Sequence, residues 1–161
     1  IEATMSRVRS QLPDVAWRTT FIVGFPTETD QDFEELVDFV SEGHFQHLGI
    51  FLYSDEDNIR SSKFGDPIPL SLKEERKNRL MEIQQKISRE HHQKMVGSLQ
   101  QVLVGGFSSE TDLLLEGRNQ YQGPEVDGVV YINEGNATSA GFHQVEITEA
   151  HEYDLVGKIL N

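Results

Sequence analysis

The chain has 161 residues, 37% of them hydrophobic, enough for one medium core or two small ones. It has no cysteine, which excludes a disulfide, a thiolate nucleophile and any iron–sulfur cluster held by its own thiolates. A net charge of −13 counts against attraction to bare nucleic acid; it favours a basic protein partner, or serves solubility alone.

No apolar run approaches the roughly 20 residues of a membrane helix. The residues before Leu12 read as neither a signal nor a transit peptide, so a cytoplasmic location is expected. The six histidines, His44, His47, His91, His92, His143 and His151, form no HExxH pair.

Ile1 to Leu12 reads as the end of a helix, with Met5, Val8 and Leu12 at helical spacing, stopped by Pro13-Asp14. Val15 to Gly24 is rich in β-branched and aromatic residues. Its apolar end, Phe21-Ile22-Val23, suits a parallel strand covered on both faces. After the turn Phe25 to Glu28, Thr29 caps a helix whose stripe is Phe33, Leu36, Val37 and Val40, and Gly43 ends it. His47 to Tyr53 is a second buried-type strand, which completes a right-handed βαβ unit.

A polar loop then runs from Ser54 to Leu70, with the acidic residues Asp55, Glu56 and Asp57 read as solvated. Ser71 and Glu74 have capping-box spacing and predict a helix to about Met95. Its apolar stripe, Leu72, Leu80, Ile83 and Ile87, is incomplete. The remainder is charged or amide, and the helix reads as a connector with one face packed on a domain; His91 and His92 are read as solvated.

Helical periodicity stops at Gly97. Five short β-type runs follow: Leu99 to Val104, Leu113 to Gly117, Gly128 to Ile132, Phe142 to Thr148 and Leu155 to Leu160. They predict a small five-stranded OB-like β-barrel. From Gly97 onward there are ten acidic residues against Arg118 and Lys158, a net of −8. The basic groove of a nucleic-acid-binding barrel is therefore missing. A structural ion pair is the expected role of Arg118. The overall expectation is α/β plus all-β.

The run from Arg18 to Thr29, RTTFIVGFPTET, closely resembles the RTTFIVGFPGET motif of radical-SAM methylthiotransferases, and its opening resembles the RimO-type branch. Lys73 to Ser88 resembles that family's KEER…RLMELQQ.IS segment. Gly123 to Tyr131 resembles its APEIDG.VY stretch, and Glu152 to Gly157 its terminal EYDL.G. Two departures stand out: Thr27 replaces the motif's second Gly, and Tyr53 to Ile59 lacks the family's Gly-Thr turn.

The resemblance implies three segments. Residues 1–70 would be the C-terminal portion of a radical-SAM partial TIM-like barrel, 71–96 a connecting helix and 97–161 a TRAM domain. It implies S-adenosylmethionine and two 4Fe–4S clusters in a longer parent, with both cysteine sets upstream of Ile1. The implied substrate is an aspartate of the basic ribosomal protein S-twelve. Alternatives are a tRNA adenosine, as in MiaB-type relatives, or a non-catalytic binding module. The chain alone is expected to be inactive, to bind nucleic acid weakly, and to self-associate through an exposed sheet edge.

The resemblance points to Arg18, Gly24, Pro26, Thr27 and Glu28 as part of the cofactor pocket, because ligands gather where parallel strands end and helices begin. Arg18 needs a partner, either the cofactor carboxylate or a nearby acidic residue. Glu28 either meets the cofactor or favours the helix N-terminus. Glu125, Asp127, Glu149, Glu152 and Asp154 are candidates for docking a basic substrate. Asp127 has a second reading, as the shaper of a tight turn.

Overall fold

A computed structural model describes residues 2–56, 60–137 and 140–160. The loop positions Asp57, Asn58 and Ile59 lie outside the described residues. The chain divides into two compact units: a βαβ unit, Trp17–Ile87, and a barrel unit made of Ile1–Ala16 with Ser88–Asn161.

The barrel unit opens with α1 (Glu2–Gln11). In the βαβ unit, β1 (Arg18–Val23) and β2 (His47–Leu52) pair in parallel, in register from Arg18 with His47 to Val23 with Leu52. Between them runs α2 (Asp30–Ser41). Thr29 is its N-cap, with a reciprocal box: the Asp32 amide donates to Thr29 Oγ1 at 3.1 Å and the Thr29 amide donates to Asp32 Oδ2 at 2.8 Å. Gly43, at φ +72°, follows the last turn and donates its amide to the Val40 carbonyl.

One face of the sheet is packed: Val23 and Ile50 join Phe33, Val37, Val40 and Leu80 in a buried cluster. The other is open. Ile22 and Phe51, direct partners in register, are 57% and 63% exposed. The expectation of two covered faces fails for that reason: apolar residues fill both faces of each strand, but α2 and the next helix cover only one. Each strand also has one edge without a strand neighbour among the described residues.

A 3₁₀ turn (Arg60–Phe64) leads to α3 (Leu70–Gln93). This helix begins one residue before Ser71, with the Leu72 and Lys73 amides donating to the Pro69 carbonyl, so Ser71 lies inside the first turn and is not its cap. Its buried residues within the βαβ unit are Lys73, Arg76, Leu80 and Gln84, spaced three or four apart. Three of those four are polar. Only Leu80 belongs to the expected apolar stripe; the packed face is largely polar, and partners far away in sequence satisfy it.

In the barrel unit, β3 (Leu99–Phe107), β4 (Leu115–Arg118), β5 (Val130–Glu134), β6 (Gly141–Ala150) and β7 (Leu155–Ile159) close in the order β3-β4-β5-β7-β6. Only β5 and β7 run parallel. Inward residues alternate along the strands, and Val102, Val104, Val130, Ile132, Val145, Ile147, Leu155 and Ile159 fill the centre. His92 is buried too, its Nδ1 3.0 Å from the His151 carbonyl, so it is packed and not solvated.

Gly117 and Gly157 let facing strands approach: a Cβ on Gly117 would sit 2.6 Å from Val102 Cγ1 and 2.7 Å from the Leu103 carbonyl oxygen. We expect Gly117→Ala to lower barrel stability by about 2 kcal/mol in urea denaturation, the usual cost of overpacking a tight core. An unchanged midpoint would contradict this packing.

Candidate functional site

The first candidate region is the turn at the carboxyl end of β1, which α3 holds from behind. Gly24 adopts φ +79°, a conformation that disfavours other residues. Its missing Cβ is also required by packing, since that atom would run into the Lys73 methylenes. The Gly24 amide donates to both Glu28 oxygens at 3.1 Å. Arg76 Nη1 donates to Glu28 Oε1 at 2.5 Å, and Arg76 Nη2 to Asp30 Oδ1 at 2.6 Å. The Arg76 and Glu28 side chains are only 4% and 11% exposed, so this pair is desolvated and depends on its partners.

Lys73 is a second clamp. Its Nζ donates to Asp66 at 2.5 and 2.6 Å and to the Tyr53 carbonyl at 2.8 Å. Thus the ends of both strands are tied to one helix. Arg76 also lies over the Phe33 ring, 5.2 Å from its centroid.

Of the five candidate cofactor residues, the fold brings four together and separates one. Gly24 and Glu28 are committed to the internal network. Pro26 is half-buried and Thr27 exposed, on the outer surface of the turn beside the exposed Phe25. Arg18 begins β1, about 20 Å along the strand from Gly24 at ordinary β spacing. It is exposed on the open face and has a partner of its own. Lys73 and Arg76 were missed in the sequence. The one available signal was their i, i+3 spacing on the predicted helix.

The barrel candidates divide as well. Asp127 Oδ2 accepts the Gly123 amide at 2.7 Å and shapes that turn. Asp154 Oδ1 accepts the Val129 amide at 2.9 Å, beside a close approach of Gly128 to the Tyr153 carbonyl. Glu152 lies 3.3 Å from Arg89. Glu125 and Glu149 are exposed. Arg118 has no ion pair among the described residues, contrary to its expected role. Lys158 pairs with Glu146 at 3.2 Å.

The carboxylates at the start of α2 respond to pH. The Thr29 hydroxyl and amide hold Asp32 below its ordinary pKa, and the Arg79 hydrogen bond does the same for Glu34. Among the described residues no helix is long and apolar enough to cross a membrane. Nor do they contain a group of His, Asp and Glu fit to hold a metal ion.

Comparison with known proteins shows what the chain is similar to. The TRAM domain profile matches residues 96–160. Ribosomal protein uS12 methylthiotransferase RimO of Desulfotalea psychrophila is 45% identical over all of this chain and 36% of its own length. The protein of that name from Bdellovibrio bacteriovorus is 48% identical over 99% of the chain and 35% of itself. The one from Anaeromyxobacter sp. (strain K) is 47% identical over 97% and 33%. Along almost its whole length the chain is similar to about a third of each of these RimO-type methylthiotransferases. It spans about a third of the length of the curated relatives it matches.

Two results are expected. Arg76→Ala should destabilise the βαβ unit by about 3–5 kcal/mol, because it strands the buried Glu28 carboxylate. Adding Glu28→Gln should recover part of that loss in the same urea titration. The second concerns pH. Asp32 and Glu34 have lowered native pKa values, so they stabilise the fold when ionised. That contribution is complete above the unfolded carboxylate range and is lost as pH falls through the lowered native values. The unit's denaturation midpoint should therefore hold steady down to about pH 5 and fall below about pH 4.

Proposed function

We propose that this chain is the carboxyl-terminal part of an enzyme that methylthiolates an aspartate of ribosomal protein uS12. One observation carries the reading: relatives bearing that name align along the whole chain at 45–48% identity. The charge of the TRAM domain supports the choice of substrate, since a net of −8 suits a basic protein and repels tRNA.

In this reading, residues 1–70 are the C-terminal portion of a radical-SAM partial barrel, 71–96 the connecting helix and 97–161 the docking domain. The open face of β1 and β2, with Ile22 and Phe51, is the surface on which the remainder of the longer enzyme packs. Left bare, it favours self-association.

The clusters have no fit to this chain, which lacks the thiolates they need. S-adenosylmethionine has a partial fit. Pro26 and Thr27 offer the exposed surface of the turn, while Gly24 and Glu28, gripped by Arg76, hold it in shape behind. Arg18, at the opposite end of the strand and with a partner of its own, lies apart from that surface. The radical chemistry belongs to the bound cofactors; the residues of this chain position the turn and help exclude water. Alone, the chain should leave uS12 unmodified in the presence of S-adenosylmethionine and reductant.

The test is a titration of the chain with uS12 and with tRNA at several salt concentrations. Saturable binding to uS12, weakening with salt, is the expected result. Tight, steeply salt-dependent binding to tRNA without binding to uS12 would overturn the proposal.

A further inference from the structure

The connection from β2 to α3 carries the 3₁₀ turn Arg60–Phe64. None of residues 60–69 is buried. A segment without buried residues opens at a low free-energy cost unless specific contacts hold it. Two contacts tie this one down. Phe64 meets Phe25 edge-on, with ring centroids 6.3 Å apart. Asp66 accepts from Lys73 Nζ at 2.5 and 2.6 Å. Phe25 follows Gly24 in the turn after β1 and packs in turn on Tyr53, at 5.3 Å. The segment therefore lies against the Phe25 side of that turn.

The ion pair is asymmetric. The Lys73 side chain is 3% exposed and that of Asp66 35%. When the two part, Asp66 turns to water at little cost. The ammonium then keeps the Tyr53 carbonyl, at 2.8 Å, but no carboxylate among the described residues. A buried cation without its counter-charge is costly, so the head of Lys73 must follow towards solvent. Its stem is not free to follow. The Lys73 methylenes occupy the space that a Cβ on Gly24 would need, and Gly24 sits at φ +79°. A moving Lys73 head thus disturbs the packing behind the Gly24 turn.

We propose that residues 60–69 form a strap that opens and closes over this turn, with the Asp66–Lys73 ion pair as its latch and Lys73 as the part that couples the strap to Gly24. Closed, the strap covers the Phe25 side of the turn and keeps Lys73 packed on Gly24. Open, it uncovers that side and loosens the turn. The coupling runs both ways, so a ligand that prefers the uncovered turn also favours the unlatched strap. Only the identity of that ligand, S-adenosylmethionine, rests on the proposed function; the device does not.

The experiment is amide hydrogen exchange of the whole chain, followed by NMR without ligand. The Gly65 amide, which donates to the Ser62 carbonyl at 3.1 Å, reports on the strap. The Gly24 amide, which donates to Glu28 at 3.1 Å, reports on the turn. Val37 and Val40, in the buried cluster, report on the unit as a whole. Asp66→Asn should speed exchange at Gly65 and at Gly24 by about tenfold and leave Val37 and Val40 unchanged. Lys73→Met keeps an apolar stem and removes the charge. It should speed Gly65 alone, and adding Asp66→Asn to it should change nothing further. Three results with Asp66→Asn would each overturn the proposal: no change at Gly65, faster exchange at Gly65 without Gly24, or equal acceleration at Val37 and Val40. Faster exchange at Gly24 in Lys73→Met would overturn the coupling through the stem. Because no ligand is present, none of these outcomes bears on uS12 or on S-adenosylmethionine, and failure of that reading leaves the strap standing.

Discussion

The desolvated pair of Arg76 and Glu28 is the interaction on which the βαβ unit depends. One carboxylate holds the Gly24 amide that ends β1, and one guanidinium reaches both that carboxylate and Asp30 at the start of α2. A buried pair of this kind contributes little net stability compared with apolar packing, but losing one partner is costly. Its value is geometric, because it fixes the turn between β1 and α2. Lys73 does the same for the end of β2 through Tyr53 and Asp66. Helix α3 is therefore part of the site's scaffold, beyond any role as a link.

Much of this was legible in the sequence where local chemistry decides. Thr29 with its acidic first turn marked α2, and short β-type runs punctuated by Gly, Asn and Pro marked all five barrel strands, though the ends moved by several residues. Gly24 was legible as a special position, but the reason was not: the close approach is made by Lys73. Whole-helix polarity misled most. His92 reads as solvated in sequence and nothing there singles out Lys73, Arg76 or Gln84 as buried; partners up to 59 residues away compensate their burial. Arg18 was separable from the turn by strand order alone, since it begins the strand that Gly24 follows.

Charge organises the barrel in the same way. Several of its carboxylates have structural duties: Asp127 and Asp154 hold backbone amides, and Glu146 meets Lys158. Glu125 and Glu149 remain exposed, and Arg118 stands without an ion pair among the described residues. A barrel type often associated with nucleic acid is here negatively charged. The fold sets the platform, while the side chains on its outer wall set the partner.

Under the proposed function, this chain can serve as the carboxyl-terminal third of a uS12 methylthiotransferase. The most direct measurement replaces the matching third of the Desulfotalea psychrophila relative with this chain and follows uS12 by mass spectrometry. If that function holds, the folded, cluster-loaded chimera adds one methylthio group to uS12. A chimera that folds, holds its clusters and leaves uS12 unmodified would contradict it.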